Sequence, residues 1–181
     1  MSQQPKTKTK IILDCDPGHD DAFAMLLAFA SPELNILGVT TVGGNVPLAS
    51  TTKNALLVRA LASAEHIPVF AGMDRPMVNP LVTAEHIHGE TGLDTASGQT
   101  LPEPTSGIES QHAVDFIIQQ CRKAKDNEIC LVPTGPLTNI AMALRLAPDI
   151  CDKVSQIVFM GGVALDVGNV TPAAEFNIYV D

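Results

Sequence analysis

The stretch Lys10-Ile11-Ile12-Leu13-Asp14-Cys15-Asp16-Pro17-Gly18-His19-Asp20-Asp21-Ala22 sets an apolar run against four carboxylates, and then against a helical pattern. Ile11 to Leu13 read as a short buried strand. Side-chain alternation along it sends Asp14 and Asp16 to one face and Cys15 to the other. Pro17 and Gly18 break the strand. From Asp20 onward Phe23, Leu26, Leu27 and Ala30 recur at helical spacing, which puts Asp20 and Asp21 in the first turn of a helix. The two acidic pairs therefore converge at the C-terminal end of a strand, where open α/β sheets place their ligands.

An Asp at a helix start is commonly a cap and nothing more, since its oxygen accepts from free N–H groups and its charge suits the helix dipole. That account covers Asp20 or Asp21 singly but leaves Asp14 and Asp16 unexplained. Carboxylates so close repel unless protons or a metal ion intervene. The donors are oxygens, without paired Cys or a near His-x-x-x-His, which suits Ca²⁺ or Mg²⁺ better than zinc. An EF-hand is excluded, because with Asp14 as its first position His19 stands where Gly is needed and Met25 where Glu is needed.

Working outward, Leu34 to Val42 reads as a strand, Leu48 to Ala62 as a helix, and Pro68 to Ala71 as a short strand. A long loop-rich stretch runs from Gly72 to Gly107. Ser110 to Lys125 follows as an amphipathic helix, Glu128 to Pro133 as a strand, Pro136 to Leu146 as a helix with Pro at its start, and Val154 to Met160 as a strand. Such alternation predicts an α/β fold with a mostly parallel sheet and helices on both faces. Its strand ends carry the polar content: Asp14 to Asp21, Gly43 to Asn45, Thr134-Gly135, and Met160 to Gly162.

Two further segments carry candidate ligand contacts. Long loops inside compact domains often bind, so His88 of the Gly72–Gly107 stretch is set against the ordinary alternative of a surface histidine. Asn169 precedes Glu175-Phe176-Asn177, whose alternation directs Glu175 and Asn177 to one side of an extended segment. A carboxylate with carboxamides can bind vicinal hydroxyls; a solvated edge strand is the plainer reading. Gly43-Gly44 and Gly161-Gly162 match no phosphate-loop pattern, and close backbone approach to a ligand is the better inference.

With 181 residues and 45% hydrophobic composition the chain reads as one globular domain over residues 10–181, behind a flexible tail at 1–9. A net charge of −9 and a pI near 4.8 argue against nucleic acid or an anionic membrane as partner. A small neutral or cationic molecule fits better. No signal peptide or membrane span is read at the start of the chain. Cys15, Cys121, Cys130 and Cys151 lack zinc or disulfide-framework spacing, so buried reduced thiols and a cytoplasmic location are expected. Cys15 is a poor nucleophile beside anions that raise a thiol's pKa.

Taken together these motifs resemble the nucleoside hydrolases, the ribonucleoside hydrolase family with inosine-uridine preference. The likeness runs in order through DCDPGHDDA (Asp14–Ala22), TVGGN ending at Asn45, HGETGLD from His88, VPTGPLTNIA from Val132, FMGG from Phe159 and GNVTPAAEFNIYVD from Gly168. The likeness looks closest to the pyrimidine-preferring bacterial members. It implies hydrolysis of the N-glycosidic bond of ribonucleosides, pyrimidine nucleosides favoured, with bound Ca²⁺. It further implies that Asp16 is the general base and a metal ligand, Asp21 a bidentate calcium ligand, Thr134 a carbonyl ligand, and Asp14 a support for the cluster. Asp20, Asn45, Asn169, Glu175 and Asn177 resemble the residues holding the ribose hydroxyls, with Met160 under the sugar. Full-length members imply a homo-oligomer.

The family's chains run on past the AEFNIYVD motif, into a His-Asp-bearing segment with another calcium ligand and a leaving-group contact. The resemblance therefore implies a domain incomplete at its C-terminus. One alternative is a truncated, inactive member that keeps a partial metal and ribose site. Another is a haloacid-dehalogenase-type phosphatase, which also ends an apolar strand in Asp-x-Asp but expects Thr or Ser soon afterwards and a later Lys.

Overall fold

The computed structural model describes residues 7–94, 102–163 and 165–181. The strands are β1 (Thr9–Cys15), β2 (Leu34–Thr41), β3 (Val69–Ala71), β4 (Ile129–Pro133) and β5 (Val154–Ile157). Between and after them lie α1 (His19–Ala30), α2 (Leu48–Leu61), α3 (Glu85–His88), α4 (Ala113–Lys123), α5 (Thr138–Leu146), a 3-10 turn (Pro148–Lys153) and α6 (Phe176–Val180). The strands form one parallel sheet in the order β3-β2-β1-β4-β5, as the alternation of elements predicts.

β1 takes the central place because its residues from Ile11 to Cys15 are buried whichever face they point to. Ile12 packs with Leu131, Phe116, Ile117 and Ile140 under α4 and α5, while Leu13 and Cys15 pack with Val39, Met25, Ala55 and Val58 under α1 and α2. Each such aliphatic side chain taken fully out of water contributes about 1.5–3 kcal/mol. In register, Asp14 stands opposite Thr40 of β2 and Pro133 of β4. Successive strands leave β1 in opposite directions, so the crevice at the C-terminal ends of β1 and β4 is the switch point where such sheets bind ligands.

The long stretch after β3 is pinned at both ends. Asn139 Oδ1 accepts from Met73 N–H at 2.9 Å near its start. The buried Arg59 donates to the Ser106 carbonyl at 2.6 Å and pairs with Glu65 at 3.1 Å near its end. Residues 95–101 of the predicted loop and 1–6 of the predicted tail lie outside the described residues. Among the described residues no helix is long and apolar enough to cross a membrane.

Four local expectations are corrected. Phe23 and Leu27 are 75% and 72% exposed, so the buried stripe of α1 is instead Ala22, Met25, Leu26 and Phe29. Glu175-Phe176-Asn177 is not extended: Glu175 is the N-cap of α6. α5 starts at Thr138 behind Leu137, which leaves Pro136 ahead of the cap. Cys151 is exposed, unlike Cys15, Cys121 and Cys130.

Candidate active site

The cap that an Asp at a helix start usually supplies is not made here. Gly18 is the N-cap of α1 and no side chain caps the helix. Asp21, one turn in, sends Oδ2 back to accept from Asp16 N–H at 3.0 Å. The sharp bend at Pro17-Gly18 thus folds the first helical turn onto the end of β1, bringing Asp16 and Asp21 together. Asp20 stays exposed beside them.

Asp16 is 1% exposed and wedged between two glycine-bearing strand ends. A Cβ on Gly44 would come within 2.1 Å of Asp16 Oδ2, and one on Gly135 within 2.7 Å of Oδ1. The same Oδ2 accepts from Asn45 N–H at 2.6 Å, and Asn45 Nδ2 donates to the Asp16 carbonyl at 3.0 Å. Gly44→Ala is therefore expected to destabilise the fold by about 1–3 kcal/mol, because backbone and carboxylate must part to admit the methyl group. Urea unfolding measures it; an unchanged midpoint would mean that Asp16 is free to swing away.

Asp14, near the end of β1, points towards α5. Its Oδ1 accepts from Thr40 Oγ1 at 2.5 Å and from Asn139 Nδ2 at 2.8 Å, whereas its buried Oδ2 has no hydrogen-bond partner among the described residues. Burial pushes its carboxyl up to about 7, with the two hydrogen bonds opposing the rise. Asp16 is raised well above the carboxylate range, by burial first and by the Asp21 charge next. Asp21 is raised to about 6 by burial, with the Thr134 hydroxyl pulling the other way. The neighbouring thiol of Cys15 is pushed up by burial and then by these three anions, which bars it as a nucleophile.

Three buried carboxylates of raised pKa and one orphaned oxygen mark a site short of positive charge. Among the described residues no three acidic, His or Cys side chains close on a single point. A cation here would draw on Asp16, Asp21 and main-chain oxygen rather than on a ready-made cage. That all-oxygen set suits Ca²⁺ or Mg²⁺, and the fit is chemically sound.

Beside the acidic cluster, and touching it through Asn45 and Thr134, lies a cleft of about 470 Å³. Asp20, Asn45, His88, Thr134, Met160, Asn169 and Asn177 all line it. They come from the first turn of α1, the exits of β2, β4 and β5, α3, and the segment running into α6. Glu175 is half-buried and does not line the cleft. Asn177 is buried, and its Nδ2 donates to the Thr134 carbonyl at 2.6 Å and the Met160 carbonyl at 3.2 Å, so it joins the exits of β4 and β5. Asn169 Oδ1 accepts from Phe176 N–H at 2.8 Å and fastens the start of α6. His88 crosses to the acidic loop, where Gly18 leaves room for its ring, and stacks on His19 with centroids 5.9 Å apart.

Sequence reasoning missed two sets of residues. Val82, Ile87, Val170, Phe176 and Tyr179 give the cleft an apolar wall, while Asn139, fully buried, ties Asp14 to the Thr41 carbonyl at 3.0 Å. The TNIA segment containing Asn139 was visible, but nothing in it announces a contact to β1.

Comparison with known proteins extends this picture. The sequence model of the family described as inosine-uridine preferring nucleoside hydrolase matches residues 11–181. The chain is 49% identical over 172 residues to the inosine-uridine preferring nucleoside hydrolase of Crithidia fasciculata, covering 95% of this chain and 54% of that protein. It is 50% identical over 171 residues to the pyrimidine-specific ribonucleoside hydrolase RihA of Shewanella sp. MR-7, covering 94% and 52%. The solved plant nucleoside hydrolase PpNRh1 superposes with a TM-score of 0.87 at 40% identity, over 98% of this chain and 54% of that one. The chain thus spans about half the length of the curated relatives it matches.

Proposed function

The chain belongs to the inosine-uridine preferring nucleoside hydrolase family, and on that premise we propose that the protein hydrolyses the N-glycosidic bond of ribonucleosides, releasing ribose and free base. The observation that carries the reading is the placing of Asp16. It is a buried carboxylate set between two glycine backbones and bound by the amide of Asn45, a residue that itself lines a cleft with polar and apolar walls. Family membership removes the phosphatase alternative. Pyrimidine preference, a cytoplasmic location and self-association of the whole protein belong to the same proposal; light scattering on purified protein tests the last.

Asp16, Asp21 and the Thr134 carbonyl would hold Ca²⁺, with Asp14 behind them. When bound, the cation supplies charge that lowers the pKa of water and keeps the carboxylates ionised. Asp16, as a carboxylate, takes a proton from water while the water oxygen bonds to the anomeric carbon. The bond from that carbon to the base nitrogen breaks, and its electron pair leaves with the base. Asp20, Asn45, Asn169 and Asn177 present acceptors and donors to the ribose hydroxyls, and Met160 gives the sugar an apolar support. Glu175 enters only if the α6 cap loosens towards the cleft. The apolar wall of Val82, Ile87, Phe176 and Tyr179 suits a flat heterocycle, and anionic groups about the sugar favour an oxocarbenium-like transition state.

The direct test is release of uracil or hypoxanthine from uridine or inosine, with calcium present and stripped. Absence of release by a folded, calcium-loaded protein would leave the alternative of an inactive member. Calorimetry is expected to register weak Ca²⁺ binding that Asp21→Ala abolishes, because Asp21 would supply both of its oxygens. No heat at millimolar calcium on folded protein would remove the metal from the proposal.

A further inference from the structure

Asn54 lies on α2, outside the cleft, and is 2% exposed. Its Nδ2 donates to two carbonyls at once: that of Pro17 in the acidic loop at 2.9 Å and that of Thr91 at 2.7 Å. Each carbonyl lies 37 residues from Asn54, one before it and one after it. One side-chain amide therefore ties the bend that carries Asp16 to the turn that follows His88.

The turn is built to meet it. Gly89 and Gly92 have φ of +82° and +85°, and a Cβ on Gly92 would come within 2.8 Å of Asn54 Nδ2. Asp94 closes the same turn, its Oδ2 accepting from Glu90 N–H at 3.0 Å and its Oδ1 from the Thr91 hydroxyl. His19 Nε2 meets the Asp94 carbonyl at 3.1 Å while its ring stacks on His88. Gly18 completes the contact, since any Cβ there would strike the His88 ring at 2.6 Å. The hydrogen bonds of Asn54 are the buried anchor of this arrangement.

We infer, on the reading of this cleft as a nucleoside site, that Asn54 is a positioning residue: a latch that holds the His88 loop in register with the acidic loop. It touches neither substrate nor metal. Without it, among the described residues, the two loops keep the His19–Asp94 hydrogen bond and the packing of His88 on Gly18 and His19 but lose their buried hydrogen-bonded tie, and His88 loses its fixed place in the wall of the cleft. The two N–H groups of one amide nitrogen suffice to serve both carbonyls. An Asp in its place keeps the shape but sets an acceptor against two acceptors.

The test compares the wild-type chain with Asn54→Ala and Asn54→Asp by amide hydrogen exchange and by proton–carbon correlation spectra of the imidazoles. Exchange at the His88, Gly89 and Gly92 amides is expected to quicken about tenfold in both variants, with the Leu13 and Leu131 amides of the sheet within about twofold of wild type. The His19 and His88 imidazole resonances should move together, a signature that a merely space-filling residue would not produce. Unchanged exchange at residues 88–92, or equal acceleration in β1 and β4, would overturn the latch. Uridine titrated into wild-type protein separates the two ideas, because failure to bind removes the nucleoside reading and leaves the exchange result standing.

Discussion

Asp16→Asn, in a chain of the length of its relatives, is expected to lower kcat for nucleoside hydrolysis about a thousandfold while leaving the affinity for ribose nearly unchanged. The amide has the shape of the carboxylate and keeps one oxygen to accept the Asn45 N–H that now reaches Oδ2 at 2.6 Å. The pocket between Gly44 and Gly135 is therefore still filled. What the amide cannot do is take a proton from water. Asn169 and Asn177 make no hydrogen bond to Asp16, and Asn45 keeps an oxygen to donate to, so the loss belongs in kcat rather than in KM. Turnover within a few-fold of wild type would mean that another group is the base.

What the sequence made legible follows from the range of the forces involved. β1 and the acidic loop could be read because a short apolar run and one Pro-Gly bend place Asp14, Asp16 and Asp21 without reference to the rest of the chain. The parallel sheet followed from the alternation of elements, and the sheet then brought Asn45 and Thr134 to the same edge. Asn54 and Asn139 were opaque because their partners are main-chain carbonyls 37 and 98 residues away, and a carbonyl leaves no mark in a sequence. α1 misled through excess: from Ala22 to Ala30 every residue is apolar, so two stripes at helical spacing were available. The sheet chose Met25 over Phe23. α6 misled through shortness, since five residues show neither period clearly.

Freed of divalent cations, the protein is expected to lose stability as pH rises from about 4 to 8, the reverse of ordinary acid denaturation. Asp14 titrates near 7 in the folded chain against 3.8 for a free side chain, and Asp16 and Asp21 are raised as well, in each case chiefly by burial. Over that interval the folded chain keeps protons that the unfolded chain has released. The unfolded state therefore binds fewer, and the free energy of unfolding falls with rising pH. The loss from Asp14 alone is on the order of 4 kcal/mol, a large share of a typical domain's 5–15 kcal/mol. Carboxyls with lowered pKa, such as Asp94, Asp149 and Glu128, act oppositely, but only below their ordinary values and at the exposed surface. Calcium should restore what deprotonation removes: large at pH 8, where the carboxylates are free to bind it, and small at pH 5, where protons compete. Asp14→Asn should make the metal-free profile shallower by its own share, leaving the slope due to Asp16 and Asp21. Urea midpoints at pH 5 and pH 8, with chelator and with millimolar calcium, decide it. Stability that is level or rising across that range in chelator would show that the acidic cluster is already neutralised by something other than protons or metal.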